Sequence, residues 1–483
     1  MSEKKLNFST TKIRTISDCP ASLEKGKTLT PRTSLTRWER LNDAIVEWLI
    51  NEAPEDVAIE EAEKNFSYFD QLQQRILKDL FSRFRDIYDK NNSSINVDYP
   101  NSSISKFIDD EEVFISAYTQ YEILDDNSTE YIKLKVGKTG VSDLDKAIIQ
   151  KTKVENETFY VADLQNNELS EIDTVDNPDE IIDESFKFLD KYLSGLREPT
   201  PGNHCSMCSR TAVCGQYPVI GGEQTKQNYR GILISKTNLQ NKDNCERQLA
   251  WKTLFHIPKE ERDYESSAGI IGTKFHEYSQ SMLVNNKHPH KQGELSRLKD
   301  LLINEDQEIS EMVLRKYQQL LSEIEGLNNL EITLSEHALG FTCITDGLVL
   351  NVSQKLYRGK VATTFMGKAD LLGRLDGIPL VVELKTGAQL PEHAIEAKLY
   401  ALGALIQTKE DEVVVLHIYA NDKDKKTVER RFTLKQFDSL VEEFQLIAEK
   451  VGNWDPSDSL QPKYNVGEWC NFCDFQNTCV EFR

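Results

Sequence analysis

The sequence predicts an α/β protein built from two tandem copies of one arrangement of strands and helices. In each half an apolar strand, an acidic polar turn and a helical run precede the cysteine pattern C-x2-C-x5-C. The second half also contains Asp376-Gly377, a dipeptide typical of two-residue hairpin loops, with apolar strands on both sides. The repeat is far longer than the periods of solenoid proteins, which favours an internal duplication.

Length and composition limit the possible classes of protein. A chain of 483 residues can hold two or three domains. Its 58 Lys and Arg against 79 Asp and Glu give a net charge of −21, so any contact with phosphate must come from local basic clusters or from a basic partner. The start MSEKKLNFST lacks an apolar leader, and no apolar run reaches transmembrane length. We therefore expect a soluble, cytoplasmic protein with no membrane partner.

The hairpin signal places three chemically useful side chains together. With Asp376-Gly377 as the loop, residue 375 faces 378, and counting outward puts Asp370 opposite Glu383. Facing side chains of an antiparallel pair share one face, with Cβ atoms about 4.5–5.5 Å apart. Lys385 lies two residues beyond Glu383 and points the same way. The sequence thus predicts two carboxylates and one amine on a single patch.

This set of side chains is typical of a divalent-metal site. Two neighbouring carboxylates repel each other unless a hard cation such as Mg²⁺ or Mn²⁺ lies between them. Such an ion lowers the pKa of a bound water and neutralises charge on a phosphoryl group. The ammonium of Lys385 could hold the attacking water or a phosphate oxygen. The alternative interpretation is an ordinary surface ion pair between Glu383 and Lys385, which stabilises little.

Two predicted helices add candidates to this site. The helix GIIGTKFHEYSQSML carries His276 in its first turns, and the helix LPEHAIEAKLYALGALI carries Glu396 and Tyr400 on one face. Taken alone, His276 is an ordinary histidine with satisfied hydrogen bonds, and Tyr400 is a core residue on an alanine-rich side of its helix.

The cysteines divide into two quartets and one remainder. In a reducing compartment, nine cysteines favour metal binding or catalysis over disulfides. Each C-x2-C-x5-C triplet has a single cysteine far upstream. The predicted sets are Cys19, Cys205, Cys208 and Cys214, and then Cys245, Cys470, Cys473 and Cys479. Cys343 lies in an apolar stretch and is predicted to be a buried structural thiol.

The duplication hypothesis makes a specific alignment. Residues 115–135 lie over 365–385 without a gap, and Asp126-Asn127 then falls on the hairpin turn. In this register Lys135 matches the hairpin lysine, whereas Gln120 and Lys133 replace the two acids. Two lysines without a carboxylate cannot bind Mg²⁺, so the first copy is predicted to keep the fold without the chemistry.

The same alignment of the helices is less direct. Glu39, in LTRWERL, falls at the place comparable to that of His276. The first copy contains no histidine before His204. A histidine contribution to a metal site is therefore predicted in the second copy alone.

The second copy, roughly 231–483, resembles the iron–sulfur branch of the RecB-like PD-(D/E)XK nucleases. That branch includes the AddB C-terminal nuclease and the CRISPR-associated and replication-linked iron–sulfur nucleases. One departure is that members usually carry Q-x-x-x-Y where this chain has Glu396-x-x-x-Tyr400. The resemblance is carried by an ordered series of residues: Cys245, His276, Asp370, Glu383-x-Lys385, Tyr400 and then C-x2-C-x5-C.

The resemblance implies the fold and the cofactors. Each copy is expected to have a restriction-endonuclease-like mixed sheet flanked by helices and to be closed by a four-cysteine cluster. We expect a degenerate nuclease-like domain over 1–222, a linker over 223–230 and an active nuclease domain over 231–483. The second quartet would bind a [4Fe–4S] cluster, and the duplication argues for the same cofactor in the first. Zinc is the rival metal, above all at the first quartet.

The resemblance also implies the roles of the site residues. Asp370 and Glu383 would bind Mg²⁺ or Mn²⁺, joined by the Leu384 carbonyl and His276. Lys385 would position the hydrolytic water, and Tyr400 would lie near the DNA.

Three hypotheses of function follow. The first is a metal-dependent DNA nuclease that works with a helicase or another ATPase in DNA repair or antiviral defence, its first copy being a pseudonuclease. The second is a catalytically weak scaffold or DNA clamp built from nuclease-like folds, which the acidic surface and Glu396 favour. The third is a zinc-stabilised protein-binding module.

Overall fold

The computed structural model describes residues 5–23, 33–88, 94–96, 101–124, 128–137, 140–195, 197–201, 204–205, 208, 214, 216–221, 229–240, 242–260, 267–284, 293–327, 329–351, 353–421 and 427–481. The chain divides into two compact units. The first unit comprises residues 1–26, 31–204 and 457–460. The second unit comprises residues 27–30, 205–456 and 461–483.

The first unit combines two mixed sheets with six described helices. Its sheets have the strand orders β1-β4-β3 and β2-β5-β6-β7-β8. The strands are β1 (Leu6–Ser9), β2 (Ser94–Asn96), β3 (Asn101–Ile108), β4 (Glu111–Tyr118), β5 (Tyr121–Leu124), β6 (Thr129–Lys135), β7 (Glu157–Asp163) and β8 (Glu168–Glu171). The helices are α1 (Thr10–Asp18), α2 (Thr33–Ile50), α3 (Glu55–Glu63), α4 (Gln71–Ile87), α5 (Asp143–Thr152) and α6 (Pro178–Leu193).

Local sequence explains why these helices form. Asp70 caps α4 by accepting a hydrogen bond from the Gln73 N–H at 3.0 Å. Within α4 the buried residues Leu77, Phe81 and Phe84 recur at helical spacing and pack into the core. This amphipathic pattern, which can bury only one face, fixes the side of the helix that meets the sheet.

The second unit is organised around one long mixed sheet of order β15-β14-β13-β12-β11-β9, with β10 parallel to β12. The strands are β9 (Val219–Gly221), β10 (Tyr229–Ser235), β11 (Leu330–Leu350), β12 (Leu356–Leu375), β13 (Ile378–Lys385), β14 (Glu412–Tyr419) and β15 (Thr427–Thr433). The helices are α7 (Lys236–Gln240), α8 (Glu246–Thr253), α9 (Ser267–Leu283), α10 (Glu294–Leu301), α11 (Gln307–Glu325), α12 (His393–Thr408), α13 (Phe437–Gly452) and α14 (Gln476–Glu481).

Strand β13 is buried on both faces and divides the core from the polar site. Leu380, Val382 and Leu384 belong to the apolar core that α9 and α11 also line. The alternate residue Glu383 contacts Tyr400 of α12. Because strand side chains alternate between faces, α12 covers the side of the sheet on which the charged residues lie.

Several strand pairings run in the same direction in both units. In the first unit β1 runs parallel to β4, β3 antiparallel to β4, and β6 parallel to β7. In the second unit β10 runs parallel to β12, β11 antiparallel to β12, and β13 parallel to β14. β4 and β5 lie in separate sheets, and β5 runs antiparallel to β6 as β12 does to β13.

The structural division between 204 and 205 falls earlier than the predicted domain boundary at 222. Val219–Gly221 pairs with β11, and Thr342 N–H donates to the Pro218 carbonyl, so this segment belongs to the second sheet. Of the predicted linker 223–230, Tyr229 and Arg230 are already part of β10, and the remainder lies outside the described residues. Within the described part of the chain, no helix is long and apolar enough to cross a bilayer.

The predicted hairpin at Asp376-Gly377 is confirmed. Leu375 pairs with Ile378, and both loop residues have positive φ, 51° at Asp376 and 80° at Gly377. Positive φ at both positions is what a type I′ loop requires, and its twist matches that of the flanking strands. The Asp376 carboxylate also accepts a hydrogen bond from Asn329 at 2.9 Å.

Replacing Gly377 tests this loop. We expect Gly377→Ala to lower the free energy of unfolding by about 1 kcal/mol, because an L-residue is strained at positive φ. An added Cβ would meet no atom within 4 Å, so the effect isolates the backbone. Urea denaturation is the measurement, with Gly387→Ala as the control, since Gly387 is equally open and lacks positive φ. Equal effects of the two substitutions would contradict the assignment.

Candidate active site

The hairpin pairing ends where the polar site begins. The last paired residues of β12 and β13 are Leu371 and Val382, and the same count places Asp370 against Glu383. At this point the Leu384 N–H donates to Oδ2 of Asp370 at 2.7 Å. The carboxylate of Asp370, which is 8% exposed, is thereby fixed against the end of β13.

Helix α9 contacts the second carboxylate oxygen of Asp370, Oδ1. His276 Nδ1 lies 3.2 Å from Oδ1 of Asp370, and Gln280 Nε2 donates to the same oxygen at 3.3 Å. Gly272, His276 and Gln280 are spaced four apart and share one helix face. A Cβ on Gly272 would lie 3.4 Å from the Thr386 hydroxyl, an ordinary contact distance, so α9 packs against the end of the hairpin.

Glu383 is surrounded by donors. Its Oε1 accepts hydrogen bonds from Lys236, at the start of α7, and from Lys385 at 3.0 Å. The Tyr400 hydroxyl lies 2.9 Å from Oε2 of Glu383 and 2.9 Å from the Lys368 carbonyl, and its single proton can go to either. Both Glu383 and Tyr400 are buried, so α12 fixes the rotamer of the glutamate.

A third carboxylate, Glu396, completes the network. Lys385 Nζ lies 3.1 Å and 2.9 Å from its two oxygens, and Lys236 Nζ lies at 3.7 Å. His417 Nε2 lies 3.3 Å from Oε2 of Glu396, while Arg430 contacts the opposite nitrogen, Nδ1, at 3.3 Å. Because Arg430 can only donate, it places the proton of a neutral His417 on Nε2, facing Glu396.

The electrostatics of the three acids differ. Burial, with the charges of Asp370 and Glu396, raises the pKa of Glu383 to about 7. Burial alone would raise the pKa of Asp370, but the hydrogen bond and charge of His276 outweigh it and lower that pKa. Burial would likewise raise the pKa of Glu396, yet its bond from His417 and the charge of Lys385 lower it well below the ordinary value. Of these three acids, Glu383 is the one whose pKa is raised, so its ionised form is the least favourable.

The lysine of the hairpin stays charged. Burial would lower the pKa of Lys385, but the charges of Glu383 and Glu396 raise it above the ordinary value. The two lysines Lys236 and Lys385 thus face three buried carboxylates. A polar site with surplus negative charge chemically fits an added cation.

The metal-ligand geometry itself is not formed. No group of three or more His, Cys, Asp or Glu side chains is arranged to hold a metal ion among the described residues. Asp370 and Glu383 direct their oxygens to protein donors instead. Their oxygen chemistry and the elevated pKa of Glu383 fit Mg²⁺ or Mn²⁺, with His276 beside them. The Leu384 carbonyl remains a predicted ligand.

The structure therefore brings five predicted residues into one network: His276, Asp370, Glu383, Lys385 and Tyr400. Sequence reasoning missed four that contact it: Lys236, Gln280, Gln240 and His417. A signal existed only for Gln280, one helical turn after His276.

The predicted second cysteine quartet lines one pocket. Cys245, Cys470, Cys473 and Cys479 lie around it together with Gln248 and Trp469. Gln248 is 5% exposed, and its Oε1 has no hydrogen-bond partner in the described structure. The donor chemistry of four thiols fits either an iron–sulfur cluster or zinc.

Polar contacts hold the C-terminal segment beside this pocket. Arg247 donates from Nε to the Pro462 carbonyl at 3.0 Å. Glu260 accepts from the backbone N–H groups of Asn477 at 3.1 Å and Thr478 at 2.7 Å, at the start of α14. These bonds do not involve cysteine, and they attach the C-terminal segment to residues near the pocket.

The first quartet is divided between the two units. Cys19 belongs to the first unit, whereas Cys205, Cys208 and Cys214 belong to the second. This quartet remains a prediction. Cys343 is buried as predicted, and burial raises the pKa of its thiol to about 12.

The hairpin of the first unit contains one hydrogen bond of the same kind, accepted by an amide oxygen in place of a carboxylate. Tyr121 pairs with Ile132, which is the register of β12 and β13, and the turn at Asp126-Asn127 lies outside the described residues. Here Gln120 Oε1 accepts from the Leu134 N–H at 2.7 Å, as Asp370 accepts from Leu384. Lys133 lies 2.9 Å from Asp145.

The remaining predicted equivalents also lack the ligand pattern. Lys135 forms an ion pair with Asp163. Glu39 is exposed on α2, whereas His276 is half-buried. This hairpin has Gln120 and Lys133 where the second unit has two acids.

The chain belongs to the PD-(D/E)XK nuclease superfamily, because the superfamily model matches residues 233–480, just over half of the sequence. The matched range contains the whole network around Asp370 and the second cysteine quartet. Superfamily members are generally nucleases, so a nuclease-type function follows for this part of the chain.

The other comparisons add little. No curated protein matches the sequence. Among solved structures, the crystal structure of SSO0001 is similar at 16% sequence identity, over 54% of this chain and 90% of that chain, with a TM-score of 0.21.

The pKa of Glu383 predicts a pH-dependent mutant effect. Because the folded-state pKa of about 7 lies above the ordinary 4.5, the protonated form stabilises the fold at low pH, and this stabilisation is lost as pH rises through 7. In metal-free protein, Glu383→Gln should be nearly neutral at pH 5. At pH 8 it should raise the free energy of unfolding relative to wild type by on the order of 2 kcal/mol.

Urea denaturation in EDTA at both pH values measures this difference. Glu336→Gln is the control, since Glu336 is an exposed glutamate paired with Lys368. A mutant effect of the same size at pH 5 and pH 8 would show that like-charge repulsion does not act on Glu383.

Proposed function

We propose that this protein is a divalent-metal-dependent DNA nuclease whose catalytic centre lies in the second unit. The observation that carries the proposal is the buried network at the end of the hairpin. It gathers Asp370, Glu383 and Lys385, in the order of the superfamily motif, under surplus negative charge.

The roles of the residues follow from their contacts. Asp370 and Glu383 would hold Mg²⁺ or Mn²⁺, joined by the Leu384 carbonyl and His276. When bound, the ion would supply an acidified water and neutralise charge on the scissile phosphate. Lys385, held by Glu396, orients its ammonium toward the attacking water or a phosphate oxygen. Tyr400 keeps Glu383 in place and, near the DNA, could contact the substrate.

We further propose that the first unit is a degenerate copy of the same domain. The matching strand pairing and the equivalent hydrogen bonds of Gln120 and Asp370 support a common origin. Gln120 and Lys133 in place of the two acids leave this hairpin without the carboxylates that Mg²⁺ prefers. A net charge of −21 supports a basic or motor partner, such as a helicase or another ATPase in DNA repair or antiviral defence, that brings the DNA.

The second candidate function is a DNA clamp or scaffold with little activity. The observation that favours it is the full engagement of Glu383 by protein donors. Cleavage assays separate the two functions.

We also propose a [4Fe–4S] cluster bound by Cys245, Cys470, Cys473 and Cys479. The shared pocket supports it, because four thiols around one pocket are the donor set that such a cluster requires. Zinc is the competing occupant, and the first quartet is proposed to bind the same kind of group.

Substitutions in the two hairpins test the nuclease assignment. Asp370→Asn and Lys385→Ala should each lower Mn²⁺-dependent cleavage of single- or double-stranded DNA at least about a hundredfold, because each removes charge that acts on the reacting phosphate. The matched control is Lys135→Ala, the equivalent lysine of the first unit, which should cut at the wild-type rate. Both are strand-terminal lysines with an acidic partner.

Retention of wild-type cleavage by either of the first two variants would refute the proposed centre. Absence of cleavage by the wild-type protein itself, with intact DNA binding, would favour the clamp. Circular dichroism spectra establish that the variants are folded.

Anoxic purification with metal analysis tests the cluster. We expect iron, acid-labile sulfide and a broad visible absorption band that disappears with chelator in air. Cys473→Ser should lose most iron from the second site, whereas Cys343→Ser should not, because Cys343 is buried in the sheet away from the pocket residues. Zinc without iron in the wild-type protein would refute the iron–sulfur assignment.

A further inference from the structure

Lys236 is a cation at the centre of the site that the superfamily motif does not include. It follows β10 directly, and β10 is aligned with β12 by parallel pairing of Ser235 with Met366. The ammonium contacts Oε1 of Glu383 and donates to the Lys368 carbonyl at 3.1 Å. It also lies 5.6 Å from the centre of the Tyr400 ring.

Three protein donors face Glu383. Oε1 accepts from both Lys236 and Lys385, and Oε2 lies against Tyr400. Because both lone pairs of Oε1 are engaged, a divalent ion that binds at Oε1 must displace one of the two ammonium groups. Which donor leaves depends on what else holds each of them.

The contacts distinguish the two lysines. Lys385 lies within 3.1 Å of both oxygens of Glu396, so it keeps a charged partner when it loses Glu383. Lys236 lies 3.7 Å from Glu396, and its other close acceptor is a neutral carbonyl. Its side chain is 22% exposed, against 17% for Lys385. Lys236 is thus the donor held mainly by Glu383 itself.

Tyr400 can compensate for the departure of Lys236. The Tyr400 hydroxyl is 2.9 Å from both the Glu383 carboxylate and the Lys368 carbonyl. If Lys236 leaves, the hydroxyl proton can turn to that carbonyl, and the incoming ion then balances the charge of the Glu383 carboxylate.

The first unit supplies an internal comparison. Ser9 pairs with Ser116 as Ser235 pairs with Met366, so Thr10 occupies the place of Lys236. Thr10 donates to Asp145 at 2.7 Å. The hairpin that lacks the two acids therefore also lacks this additional lysine.

We propose that Lys236 is the resident counter-ion of the metal-free site and competes with the divalent ion for Glu383. This inference rests on the proposed function and deepens it. Binding of the metal exchanges one ammonium for one ion at Oε1, which keeps the buried acids neutralised in both states. Lys236 is a positioning residue that sets the metal concentration at which the site fills.

Mn²⁺ titration of the full chain, followed by the electron paramagnetic resonance signal of free Mn²⁺, tests the proposal without substrate. Lys236→Met should bind Mn²⁺ roughly tenfold more tightly than wild type, as expected when a competing charge-assisted hydrogen bond is removed. Lys360→Met is the matched control. It removes a partly exposed lysine of β12 paired with Asp346 and changes the net charge equally, so its affinity should stay at the wild-type value.

Unchanged or weaker binding by Lys236→Met would overturn the proposal, since a lysine that only supports the fold does not compete with the ion. Lys236→Arg provides a second measurement if the methionine variant does not fold. Because it keeps the competing charge, it should bind no more tightly than wild type, and a tenfold gain would also overturn the proposal.

The variant Asp370→Asn distinguishes failure of the proposed metal site from failure of the exchange at Glu383. If Asp370→Asn binds Mn²⁺ as tightly as the wild-type protein does, both the proposed metal site and this exchange are refuted. Normal loss of binding in Asp370→Asn, with equal affinities of Lys236→Met and wild type, would refute the exchange alone.

Discussion

The second unit depends on how it keeps three buried carboxylates in one polar patch. Asp370, Glu383 and Glu396 are each less than a tenth exposed, and within the described part of the chain the lysines that pair with this group are Lys236 and Lys385. Such a group would destabilise the fold unless every oxygen had a donor. The surrounding elements supply donors from α7, α9, α12 and β14, which explains why strand, helix and loop segments far apart in sequence converge on one hairpin.

The part of this site encoded locally could be predicted. A two-residue loop with Asp376-Gly377 fixes the register of β12 and β13, and the register alone determines which residues face each other. The helical spacing of Glu396 and Tyr400 is likewise local, and the structure places both against Lys385 and Glu383. Their alanine-rich setting had also allowed simple core packing.

The rest depends on long-range pairing that one sequence does not encode visibly. Lys236 reaches Glu383 only because β10 lies parallel to β12, more than a hundred residues away in the chain. The same holds for His417, which is placed by the parallel pairing of β14 with β13. The earlier domain division has this origin too, since the pairing of Val219 with Thr342 is invisible in composition. Local sequence signals predicted the strands and helices. Which strands lie side by side is set by long-range pairing in the sheet.

The two hairpins show which part of the site belongs to the fold and which to the chemistry. In both hairpins a side-chain oxygen, from Gln120 or from Asp370, accepts the backbone N–H of the residue just before the last lysine of the strand pair. A neutral amide satisfies that bond as well as a carboxylate does, so the bond alone does not require an acid. The negative charge of Asp370 raises the pKa of Glu383 and so makes the ionised pair less favourable. The stability of the fold therefore does not explain why residue 370 is an acid. Since an unneeded buried charge is costly, a cationic ligand at this hairpin is the explanation that the comparison of the two halves favours.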